Sequence, residues 1–163
     1  MRTRGRCLWL VVMLGLVSAS CEYRPPEMPK LPIGIQVESP PHLRVTVVNP
    51  TKRLLAPNEL PPLTRAGSRW DYSVQFTDIG GVGVQFREVQ TTVRSLTGNS
   101  ATRTTALPSR VEPQGTIPIL IDANLATSDP ERPGSLTGVQ ELVFLGQDDR
   151  GQPVRVFVRV PLE

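Results

Sequence analysis

From Leu43 onward the apolar residues recur at every second position, the period of a half-buried strand and not of an amphipathic helix. Leu43-Arg44-Val45-Thr46-Val47 alternates and runs into Asn49-Pro50, a turn signal that is expected to end the strand. Trp70 to Thr77 is the clearest strand, with Trp70, Tyr72, Val74 and Phe76 on one face and polar residues on the other. Gly80-Gly81-Val82-Gly83 reads as a turn. A long strand from Val84 to Leu96 follows, and its parity slips between Phe86 and Val89, as at a β-bulge or a bend between sheets. Gly98-Asn99 closes it.

Further on, the signals are shorter. Leu107–Val111 is a weak strand interrupted by Pro108, and Pro118 assigns Thr116–Ile121 to a sheet edge. Residues 124–134 read as loop, with Pro130 and Pro133. Val139–Leu145 is a strand, Gln147–Gly151 a hairpin loop with Gly151 placed for positive φ, and Val154, Val156, Val158 and Val160 form a last alternating strand. About seven strands and no amphipathic helix predict an all-β fold, an antiparallel Ig-like β-sandwich, with a small β-barrel as the alternative.

The start of the chain is different. Arg2, Arg4 and Arg6 precede an apolar run from Leu8 to Val17, then Ser18-Ala19-Ser20-Cys21. This is the layout of an export signal, and the run is about half of the roughly 20 residues that span a bilayer. Val17-Ser18-Ala19-Ser20-Cys21 resembles a bacterial lipobox, with Ser18 where leucine is usual, and assigns Cys21 as the lipid-attachment residue. The expected division is a signal peptide at 1–20, a Pro-rich tether at 21–42 and the sandwich at 43–163. Prolines at 25, 26, 29, 32, 40 and 41 favour extended backbone across the tether, and Ile33–Val37 alternates like a first edge strand.

The formal charge of +3 changes meaning once this leader is set apart, because Arg2, Arg4 and Arg6 account for the whole excess. The remainder is close to neutral, so no nucleic-acid partner is expected. The two cysteines are Cys7, in the leader, and Cys21. Cleavage would therefore leave no pair for an internal disulfide, and lipidation explains why a lone cysteine is kept in an oxidising compartment.

Trp70-x-Tyr72-x-Val74-x-Phe76-x-Asp78-x-Gly80-Gly81-Val82-Gly83-Val84, with the late Gly146-x-Asp148-Asp149-x-Gly151 hairpin, resembles Ig-like modules of bacterial envelope and secreted proteins, a family of unassigned function. The resemblance spans roughly Leu43 to Leu162 and implies a fold and a setting. It offers no catalytic residue to carry over.

Candidate chemistry is sparse. A phosphate-binding glycine loop needs a helix after it, whereas Gly80–Gly83 is followed by a strand. Asp148, Asp149 and Asp78 fall short of the six to eight oxygens that calcium takes, and Asp is a common turn residue. His42 is the only histidine and lies at the junction of tether and domain, a poor support for a catalytic relay. Zinc needs three or four His or Cys ligands, which the chain lacks. Trp70, Tyr72 and Phe76 suit a core better than a stacking platform, and Tyr23 sits in the tether. No cofactor, metal or catalytic residue is assigned, and no enzyme activity is expected. The expectation is a module held to the membrane through its N-terminal lipid that binds or scaffolds an envelope protein or glycan. Glu22 after the cysteine favours the outer membrane where the host has two. The alternatives are a non-catalytic assembly accessory of an envelope complex, and a hydrolase built on a carboxylate pair.

Overall fold

The computed structural model describes residues 34–131 and 134–163. Residues 1–20, Cys21, Tyr23 and the tether up to residue 33 lie outside the described residues, as does Pro133. The described residues fold as an all-β antiparallel sandwich of eight strands: β1 (Gln36–Glu38), β2 (Leu43–Leu54), β3 (Ala66–Asp78), β4 (Val84–Ser95), β5 (Ser100–Val111), β6 (Thr116–Thr127), β7 (Gly138–Asp148) and β8 (Pro153–Leu162). One 3-10 turn, Pro57–Glu59, links β2 to β3. Five strands form one sheet in the order β1-β8-β7-β4-β5, and three form the other in the order β2-β3-β6.

Alternation builds the core directly. Along β3, Trp70, Tyr72, Val74 and Phe76 are all buried, while Arg69, Asp71, Ser73, Gln75 and Thr77 between them are only partly covered. Val154, Val156, Val158 and Val160 of β8 are buried in the same way from the facing sheet. At the centre, Phe76 lies with its ring 4.8 Å from Phe86 and 4.8 Å from Phe144, tilted and edge-on. These are favourable geometries for aromatic pairs. A smaller cluster of Trp70, Ala123, Leu125 and Leu162 fills the end of the sandwich nearer the C-terminus.

Three readings of the strands are revised. Asn49-Pro50 does not end β2; the register with β3 shifts between Val48 and Thr51, and pairing resumes to Leu54. Proline is tolerated there because β2 is an edge strand and the irregularity absorbs the missing donor. β5 is a full twelve-residue strand and not a short one at 107–111. β6 continues past Ile121 to Thr127, so the loop expected from residue 124 starts later. The parity slip in β4 is a bulge, with pairing to both neighbours shifting between Phe86 and Glu88. Pro118 does lie on an edge strand. The short β1 pairs with β8 through Gln36–Arg159, Val37–Val158 and Glu38–Phe157, so the edge pairing begins within the stretch read as tether.

A three-stranded sheet over a five-stranded one leaves a strip uncovered. The strip is β5, exposed along nearly its whole length. Its inward positions, Ala101, Arg103, Thr105 and Leu107, border a groove of about 520 Å³ between the two open edges, β5 and β6.

Candidate functional site

Among the described residues, Glu141 of β7 pairs with Arg94 and Arg159, and two further regions gather polar or accessible groups. The first is the pole formed by the β3–β4, β5–β6 and β7–β8 loops. Asp78 is 2% exposed. Its carboxylate accepts from the backbone N–H groups of Gly80 (3.3 Å), Val82 (3.0 Å) and Gln114 (2.8 Å). Burial pushes its pKa up, but the N–H groups of Gln114, Gly80, Gly83 and Val82 together outweigh this and hold it below the usual carboxylate value. Asp78 thus ties two loops together, and its lone pairs are spent on backbone.

Asp148 Oδ1 accepts from the N–H of Arg150 (2.9 Å) and of Gln152 (2.8 Å), which is turn chemistry. Asp149 does something else: it meets Arg110 of β5 in a two-point pair at 2.8 and 2.9 Å. That hydrogen-bonded guanidinium holds the Asp149 carboxyl below its ordinary value. Gly83 has φ +71°, and a Cβ there would lie 2.5 Å from Asp149 Oδ2, so glycine is required both by backbone and by space.

His42 packs under the same pole. Its carbonyl accepts from the N–H groups of Ile79 (2.8 Å) and Gly80 (3.2 Å). A Cβ on Gly80 would come within 2.5 Å of the His42 Cβ. The imidazole Nε2 is buried with no hydrogen-bond partner, so no hydroxyl or carboxylate is aligned on that nitrogen. Among the described residues no group of three His, Cys, Asp or Glu side chains is placed to hold a metal ion.

Trp70, Tyr72 and Phe76 are core residues, with exposures of 3%, 4% and 0%. The indole Nε1 of Trp70 donates to the Glu163 carbonyl at 3.3 Å. Cys21 lies outside the described residues.

The second region is the β6 edge, which the sequence reading does not single out. Leu120 is 85% exposed. It is flanked on one side by the inter-sheet groove and on the other by a depression of about 400 Å³ on the outer face of the three-stranded sheet. Asp71 and Asp122 are direct cross-strand partners there. Arg69 sits between them, 2.8 Å from Asp71 and 3.9 Å from Asp122. A signal does exist in the sequence: in Ile117-Pro118-Ile119-Leu120-Ile121 the leucine is apolar at a position whose parity is outward.

No family model and no curated protein matches the chain. Among solved structures it is similar to a structural-genomics target designated SoR45, with a TM-score of 0.55 and 10% identity over 75% of this chain and 86% of that one. It is also similar to a Bordetella pertussis protein assigned as ApaA, with a TM-score of 0.47 and 15% identity over 74% of this chain and 88% of that one. At 10% identity the first likeness speaks to the fold alone.

Proposed function

We propose that the chain is an exported, lipid-anchored Ig-like module of the bacterial cell envelope that works by binding or scaffolding another envelope component. The observation that carries this reading is Ser18-Ala19-Ser20-Cys21 directly after the Leu8–Val17 apolar run. Strand order supports the Ig-like part of it for six strands: β2-β3-β6 facing β4-β7-β8 matches A-B-E facing C-F-G of immunoglobulin-type sandwiches, while β5 pairs with β4 and not with β6, where strand D would lie. Where the host has two membranes, the outer membrane is the proposed address, since Glu22 follows the cysteine.

Fractionation of cells making the wild type and Cys21→Ser tests the reading. The wild type is expected in the membrane pellet, released by detergent and not by high salt, because acyl chains contribute about 0.8 kcal/mol per buried CH₂. Cys21→Ser is expected to leave the membrane. Equal membrane retention of the two proteins counts against anchoring at Cys21.

A further inference from the structure

We infer that the β6 edge at Leu120–Asp122 is a docking site for an extended segment of a partner protein, which adds a strand beside β6 with an apolar inner face and a basic outer residue. This deepens the binding role proposed above and does not depend on the lipid.

The four sheet edges differ in how they are guarded. β1 is three residues long. β2 carries the irregularity at Val48/Thr51 and the cations Lys52 and Arg53. β5 carries Arg103, Pro108 and Arg110. Short edges, bulges, prolines and cations are the usual defences against unwanted pairing. β6 spends its proline at Pro118, and from Leu120 to Thr127 it has no proline, lysine or arginine. This is the longest edge stretch among the described residues without a bulge, proline or cation, and Asp122 is its one charge.

The concavities on its two sides fit one kind of ligand. Side chains of a strand alternate between faces. A strand laid along β6 would therefore direct one set inward, to the groove bordered by Thr105, Leu107, Ile119 and Ile121. The other set would face the outer depression bordered by Val48, Arg69, Asp71 and Asp122. Strand addition uses this division, with main-chain bonds giving affinity and alternate pockets giving specificity. Charge selects the outer residue. Asp71 and Asp122 face each other with one guanidinium between them, and Arg69 lies close to Asp71 at 2.8 Å but 3.9 Å from Asp122, so the exposed Asp122 carboxylate at the edge is the less compensated of the two. A lysine or arginine on the incoming strand opposite Asp122 would neutralise it.

The test uses the full chain in detergent and two capped nonapeptides that alternate valine with threonine and lysine, or with threonine and glutamate. The lysine peptide is expected to bind at least about tenfold more tightly than the glutamate peptide. It should slow amide hydrogen exchange over residues 120–124. Asp122→Lys is an exposed change that should leave the melting transition in place and reverse the preference. Four results overturn the proposal: binding of neither peptide, protection mapped elsewhere, loss of preference without reversal in Asp122→Lys, or a free chain that dimerises with β6 protected, which would make a second copy the occupant. A chain that stays on the membrane yet ignores both peptides overturns the strand proposal and leaves the anchoring at Cys21 standing.

Discussion

The phenol of Tyr72 on β3 donates to Oε1 of Gln140 on β7 at 2.6 Å, joining the two sheets through a buried polar bond. Gln140 is fully buried, and its Nε2 donates in turn to the Asp122 carbonyl on β6 at 3.1 Å. Burial pushes the Tyr72 pKa well above its ordinary value, so the phenol stays a donor throughout the physiological range. Tyr72 belongs to the large Phe-centred cluster, and Trp70, two residues earlier on β3, belongs to the smaller one.

Tyr72→Phe keeps the ring and removes one partner of Gln140. The expected cost is about 1–3 kcal/mol, the penalty for leaving a buried acceptor unsatisfied. Urea titrations of Tyr72→Phe, Gln140→Leu and the double variant check it. The double variant should lose less than the sum of the singles. Strict additivity would mean that the two side chains are energetically independent.

Phe76 touches both Phe86 and Phe144 and has no exposed surface. Phe76→Ala should cost about 3–5 kcal/mol. Leu120→Ala, at an exposed edge position, should stay within about 0.5 kcal/mol. Equal effects in chemical denaturation would contradict the assignment of β3 to the core.

Asp78 sets the acid behaviour of the loop pole. Its folded pKa is depressed, so the stability it contributes is present above the unfolded value of about 3.9 and is lost as pH falls through the lower folded value. Wild type should therefore lose stability below about pH 4. Asp78→Asn should be less stable at pH 7, by about 1–3 kcal/mol, and flatter in acid. If the wild type and Asp78→Asn lose stability in parallel as the pH falls, other carboxylates carry the loss.

Two glycines with positive φ separate strain from crowding. Gly98 has φ +96° and open space around a built Cβ, whereas Gly83 has φ +71° and Asp149 at 2.5 Å. Gly98→Ala should lose about 1 kcal/mol from backbone strain alone. Gly83→Ala should lose more, because it also displaces the carboxylate paired with Arg110. Thermal melts rank the two, and the reverse order would remove the crowding argument.

How legible each strand is in the sequence follows from what it packs against. β3 and β8 are covered on one face, so apolar and polar residues alternate and both strands are plain. The bulge in β4 is legible because Phe86 and Val89 are both buried across an odd step. β5 reads as too short because its inner face is uncovered, and Arg103 and Thr105 stand where a covered strand would carry aliphatics. Asn124 reads as loop although it is a strand residue on the open side of β6, with Ala123 and Leu125 buried on either side of it. The candidate docking edge depends on which strands have no neighbour. Only topology decides that, and the off-parity Leu120 is its one trace in the sequence.

Anchoring at Cys21 underlies the proposed function, and intact-mass analysis of the protein recovered from its native membrane reads it without an intermediary. The predicted result is a chain that begins at Cys21, lacks residues 1–20 and carries a diacylglyceryl group on the cysteine. A chain that retains residues 1–20, or that begins at an unmodified Cys21, would contradict it.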